Sequence, residues 1–209
     1  TGQEREAAEY LASQLEGFGY AVDLQPFAVE LLSREESGVV LEGPQPEPVD
    51  ALPLVKSGTG EVSGVLAPVG RALDGDIPEE GLEGKIALAE RGLITFEEKV
   101  KRAVEAGAIA VVIYNNRPGN FQGVLTTPDT VPVLSISRAD GRRLEELTSA
   151  GTVELSVSVK LEKRTSHNVI AEKQGPGEGV VVLGAHYDTV PNMSGANDNS
   201  SGTAVLLAV

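Results

Sequence analysis

Val180-Val181-Val182-Leu183-Gly184-Ala185-His186-Tyr187-Asp188 is the stretch that decides the architecture, because an apolar run of strand type leads straight into an imidazole and a carboxylate. A short apolar run bounded by glycine reads as a buried strand, and the exit of a strand is a rigid place from which to present ligating side chains. Ten residues after Asp188 another carboxylate, Asp198, stands within Gly195-Ala196-Asn197-Asp198-Asn199-Ser200-Ser201-Gly202. A glycine-bearing loop over residues 192–199 can bring Asp198 back toward His186. These two residues are therefore candidate ligands of one divalent ion, and the two oxygens of Asp198 would allow it to bridge a second. Asp188 is placed to accept the hydrogen bond of the other imidazole nitrogen, which would fix tautomer and ring direction. The plain alternative is a solvated turn holding a histidine and two acids. The chain has no cysteine, so any zinc must be held by imidazole, carboxylate or water.

On either side of this stretch the pattern alternates helix and strand signals. Val169-Ile170-Ala171 and residues 180–183, separated by Gly175-Pro176-Gly177, read as a hairpin, and residues 203–208 read as the start of a buried helix. Residues 153–161 alternate apolar side chains with Glu154, Ser156, Ser158 and Lys160, the pattern of a strand with one buried face. At the other end, Ala7, Ala8, Leu11, Ala12 and Leu15 fall at helical spacing, and the strand signal over residues 20–29 carries Pro26, which favours an edge. Glycine and proline gather between residues 42 and 60, placing a boundary near residue 45. The middle of the chain reads as strands at 62–69, 86–89, 109–113 and 131–136 with helices at 96–106 and 138–148, a compact β-rich domain with helices packed on it.

Composition narrows the function classes. With 209 residues and 41% hydrophobic side chains, the chain can bury a real core. A formal net charge of -14 disfavours attraction to a phosphate backbone or an anionic membrane, so nucleic acid is not an expected partner. No stretch has the length of a membrane span, and Thr1-Gly2-Gln3-Glu4 lacks a signal-peptide pattern. His167, just before an apolar run, reads as structural. Glu97 and Glu98 begin a helical pattern with Lys99, Lys101 and Arg102 and read as solvated charges. Gly58-Thr59-Gly60 and Gly175-Pro176-Gly177 lack the spacing of a phosphate loop and read as turns. Tyr187 is placed either to line a cleft or to pack in a core.

Taken together, Ser166-His167-Asn168-Val169-Ile170-Ala171, Gly184-Ala185-His186-Tyr187-Asp188 and the stretch 195–202 resemble the M28 zinc aminopeptidase family. Residues 84–92, 96–112 and 131–136 resemble the protease-associated (PA) domain often inserted in these enzymes. The resemblance implies an α/β fold: a partial mixed-sheet α/β/α zinc-peptidase domain, residues 1–45 and 158–209, interrupted by a β-rich PA domain, residues 46–157. It makes His186 a ligand of one of two zinc ions, Asp198 the carboxylate bridging both, and Asp188 the residue orienting His186. The expected activity is release of the N-terminal residue from a peptide with a free amino terminus, in a secreted protein whose PA domain offers a protein or peptide contact. The family also requires an adjacent Glu pair, a further Asp ligand and a final His ligand. These have no counterpart in residues 1–209, so this stretch alone is expected to be inactive and, as half of a layered core, poorly stable or self-associating. Carboxypeptidase or cyclase-like relatives share the half-site, and a noncatalytic interaction module built on the PA domain is the alternative of a different class.

Overall fold

A computed structural model describes residues 2–189 and 194–208. Asn192 and Met193, at the start of the expected returning loop, lie outside the described residues. In chain order the elements are α1 (Gly2–Gly17), β1 (Ala21–Leu32), β2 (Gly38–Leu41), β3 (Glu47–Val49), β4 (Ala51–Pro53), β5 (Gly60–Pro68), β6 (Ile86–Glu90), α2 (Phe96–Glu105), β7 (Ala110–Tyr114), β8 (Val133–Ile136), α3 (Arg138–Ala150), β9 (Glu154–Val159), β10 (Leu161–Glu172), a π-type turn at Ala196–Ser200, and α4 (Ser201–Ala208). The chain divides into two compact units, Glu30–Glu162 and Thr1–Val29 with Lys163–Val209.

The unit Glu30–Glu162 is built on an eight-stranded sheet in the order β3-β2-β9-β5-β6-β7-β8-β4. Strands β5, β6, β7 and β8 pair in parallel, while β2, β3, β4 and β9 pair antiparallel with their neighbours. Because side chains alternate along a strand, one face of the parallel part presents Ile86, Leu88, Ala110, Val112 and Tyr114, and the other presents Ala87, Ala89, Val111 and Ile113. Leu144 of α3 joins the first cluster, and Val100 and Ala103 of α2 join the second. The strands are thus buried on both faces, which is why they read as continuous apolar runs. β9 has one buried face as expected, with Leu155, Val157 and Val159 inside.

The two outer strands are consecutive in the chain. Val49 pairs with Val39 at one edge and Ala51 with Ile136 at the other, with only Asp50 between. One continuous stretch therefore covers both rims, and Pro48 and Pro53, which have no N–H for the ladder, stand in these rim strands. Gly43-Pro44 lies in the turn between β2 and β3.

In the other unit, α1 buries Ala8 and Ala12. Two expectations are corrected here. Val169-Ile170-Ala171 does not form a hairpin with residues 180–183: it lies in β10, which pairs with β1 in a two-stranded sheet. Among the described residues 180–183 have no strand partner, and Val180, Val181 and Val182 are 85–87% exposed. A strand needs a neighbour's N–H and C=O groups, and among the described residues β10 finds them in β1. The helix expected at 203–208 forms as α4, yet none of its residues is buried.

Candidate metal centre

The two carboxylates singled out in the sequence converge on one imidazole. Asp188 Oδ1 lies 3.1 Å from His186 Nδ1, and Asp198 Oδ1 lies 3.1 Å from His186 Nε2. The backbone oxygen of Asp188 adds a contact of 3.2 Å to Nδ1. A neutral imidazole carries one N–H. With that proton on Nδ1, donated to Asp188, the lone pair of Nε2 faces a carboxylate oxygen across a gap that either a second proton or a metal ion would bridge. Two donors at the roughly 2.0–2.1 Å typical of zinc, at a tetrahedral angle, stand about 3.3 Å apart. The observed spacing fits a shared ion, and the N/O donor chemistry suits zinc.

The loop that returns Asp198 is shaped by glycine. Gly195 adopts φ 63°, in the left-handed region, and a Cβ there would lie 1.9 Å from the Thr189 methyl carbon. A side chain at this position would push the loop away from the His186 segment. Asp198 and Asn199 depart from helical backbone angles within the turn Ala196–Ser200. Beyond them, Ser201 Oγ donates to Asn197 O at 2.9 Å, the Gly202 N–H donates to Asn199 Oδ1 at 3.2 Å, and Thr203 Oγ1 donates to His186 O at 3.2 Å. The start of α4 therefore holds both the turn and the histidine backbone. The described residues contain no group of three or more His, Cys, Asp or Glu side chains suited to a metal. His186 and Asp198 bring two potential donors together, with Asp188 turned to the far ring nitrogen.

Tyr187 was legible only as cleft lining or core packing, and its partners were not legible at all. Its hydroxyl lies 3.0 Å from Glu4 Oε1 and 2.5 Å from the backbone oxygen of His167. Burial, then the hydrogen bond to Glu4, pushes the phenol up to about 12. Burial also raises the Glu4 carboxyl, but hydrogen bonds from Tyr187, from Ser166 and from the His167 backbone outweigh it and hold Glu4 below the usual carboxylate range. His167 Nδ1 is buried without a hydrogen-bond partner among the described residues, 4.0 Å from Glu4 Oε1. Glu97 and Glu98, expected as solvated charges, have protein partners. Glu98 pairs with Arg102 at 2.9 Å, while Glu97 accepts from the Thr126 N–H at 3.1 Å and from Thr127 Oγ1 at 2.5 Å.

Residues 51–144 match the PA domain, and residues 168–209, which include all three candidate residues, match Peptidase family M28. The M28 part of this chain is thus residues 168–209, behind a PA domain. Leucine aminopeptidase 2 of Arthroderma otae is 38% identical to the chain over 213 residues, a match covering 98% of the chain and 42% of that relative. Leucine aminopeptidase 2 of Trichophyton equinum is 43% identical over 139 residues, covering 64% of the chain and 28% of the relative. Among solved structures, the zinc aminopeptidase BSAP from Bacillus subtilis matches with TM-score 0.79 at 30% identity, over 99% of this chain and 50% of that one. The aminopeptidase from Aneurinibacillus sp. strain AM-1 matches with TM-score 0.64 at 33% identity, over 99% and 52%. The chain thus spans less than half the length of the curated relatives it matches.

Proposed function

We propose that residues 1–209 form part of a dinuclear zinc aminopeptidase that removes the N-terminal residue from peptides. The observation that carries this reading is His186 set between two carboxylates, Nε2 sharing a 3.1 Å gap with Asp198 and Nδ1 meeting Asp188. Bound zinc would supply a water activated for attack and would polarise the scissile carbonyl. His186 would hold zinc through Nε2, and Asp198 would supply carboxylate oxygen to the centre. Asp188 holds the proton on Nδ1, so that Nε2 keeps its lone pair. Two donors do not make a hydrolytic site, which takes at least three protein ligands. Residues 1–209 by themselves are therefore inactive in this reading.

In the same reading the PA domain occupies residues 46–157, with peptidase portions at 1–45 and 158–209. Support comes from the PA match at 51–144 and the M28 match at 168–209, which fall inside these limits. An extracellular setting is proposed on the family resemblance. Among the described residues no helix is long and apolar enough to cross a membrane.

The test uses a protein holding residues 1–209 together with the rest of its peptidase domain. Zinc content is measured by elemental analysis, and hydrolysis is followed on a leucine anilide and its N-acetylated form. The expected result is zinc bound in the wild type, cleavage of the free-amine substrate alone, and loss of activity with a chelator or with His186→Ala. Undiminished turnover after either treatment would overturn the reading.

A further inference from the structure

The segment that presents His186 and Asp188 is gripped from its other side by a residue with no place in the metal chemistry. Side chains alternate along extended backbone. His186 and Asp188 turn toward each other, with Nδ1 and Oδ1 3.1 Å apart, while the side chain between them reaches α1 and β10. No sheet ladder steadies this stretch, since residues 180–189 have no strand partner among the described residues. Its anchors are the Thr203 hydroxyl on His186 O and the two contacts of the Tyr187 hydroxyl.

Those two contacts are themselves well founded. Glu4 Oε1 accepts from Tyr187 Oη and from Ser166 Oγ, each at 3.0 Å, and the His167 backbone N–H adds a further hydrogen bond to the same carboxyl. Tyr187 Oη, with a single hydrogen to give, lies within reach of both Glu4 and the His167 carbonyl. Helix α1, strand β10 and the metal segment are thereby joined at one oxygen atom.

We propose that Tyr187 is a positioning residue of the metal centre: Glu4 and the His167 carbonyl clamp its hydroxyl, and the clamp fixes the backbone from which His186 and Asp188 diverge. The proposal rests on the zinc reading above. A metal ligand tolerates little rotation, and groups that hold ligands in place are typically worth ten- to a hundredfold in metal affinity. The contribution comes from the hydroxyl and not the ring, so phenylalanine would keep the packing and lose the clamp.

The experiment measures zinc affinity by competition with a fluorescent chelator in the protein with its whole peptidase domain, for wild type, Tyr187→Phe, Glu4→Ala and the double variant. Thermal melting of the metal-free proteins is followed alongside. Tyr187→Phe is expected to bind zinc roughly ten- to a hundredfold more weakly, with metal-free melting little changed. The visible spectrum of the cobalt-substituted variant should shift, because it reports ligand geometry. Glu4→Ala should lose a smaller factor, because the His167 carbonyl still accepts from Tyr187 Oη, and the double variant no more than Tyr187→Phe alone, since Glu4 acts through that hydroxyl. Should Tyr187→Phe fail to fold, Glu4→Ala carries the test. Zinc affinity within twofold of wild type, with an unchanged cobalt spectrum, would overturn the clamp, and fully multiplicative losses would overturn the link through Glu4. A wild-type protein that binds no zinc would instead overturn the metal reading itself, and the clamp with it.

Discussion

His186 meets a carboxylate at each ring nitrogen, so single-atom changes around it have separable outcomes. Asp188→Asn leaves the shape intact but weakens the acceptor that keeps Nδ1 protonated. Zinc affinity of the protein with its whole peptidase domain should fall about ten- to a hundredfold, read by chelator competition. An unchanged affinity would remove Asp188 from its orienting role. Lys99 tests electrostatics far from this site. Its side chain is fully buried in α2, its ammonium donates to the Arg71 carbonyl, and burial, with Arg71 nearby, lowers its pKa to about 8. The unfolded chain would release that proton near about 10.4. Between these values the unfolded state holds the extra proton, so unfolding free energy rises with pH, by at most about 1.4 kcal/mol per pH unit. Urea unfolding stepped over about pH 8–10 should show that rise in the wild type and not in Lys99→Met. At this scale His186, Asp188 and Asp198 were legible because they lie within a dozen or so residues of one another. The Tyr187 and Glu4 pair was not, being 183 residues apart.

Helix starts and helix packing decide the elements. Thr95 Oγ1 accepts from the Glu98 N–H at 3.2 Å and Ser137 Oγ from the Asp140 N–H at 3.1 Å, so both helices of the unit Glu30–Glu162 begin on a hydroxyl cap. Thr95→Ala should cost about 1 kcal/mol in chemical unfolding, with the fold retained. Gly141 lets α3 lie close on the sheet: a Cβ there would stand 2.2 Å from Tyr114 Cβ and Cγ. Gly141→Ala must displace the helix or the tyrosine, and a loss of about 1–3 kcal/mol or more is expected. A loss below about 0.5 kcal/mol would mean that this contact yields easily. Periodicity was enough to place α2, α3 and the four parallel strands. It failed for residues 180–183, because an apolar run states what a segment buries in a finished sheet and not which neighbour it pairs with.

For the whole molecule the distribution of burial is uneven. Apart from Ala8 and Ala12, every buried hydrophobic residue among those described lies between Val39 and Val159, while Val180, Val181, Val182, Leu183 and Val205 are at least 62% exposed. The unit Glu30–Glu162 holds both hydrophobic clusters and closes its own sheet rims, so it is expected to fold alone. Limited proteolysis of the chain should cut first within residues 173–185, which lie outside helices and strands, and should leave a resistant core covering residues 38–159. An excised 30–162 should unfold in one cooperative step, and an unfolded or aggregated product would show that its core depends on the rest of the chain.

Sequence alone determined the alternation of helices and strands, the acidic character that disfavours nucleic acid, and the short-range set of His186, Asp188 and Asp198, since all of these are carried by composition or by local spacing. Only the tertiary structure decided that β3 and β4 would take opposite rims of one sheet, that β10 would pair with β1, and that Tyr187 would reach back to Glu4. Each of these joins residues remote along the chain, and local periodicity fixes which face a side chain buries without fixing the partner it is buried against.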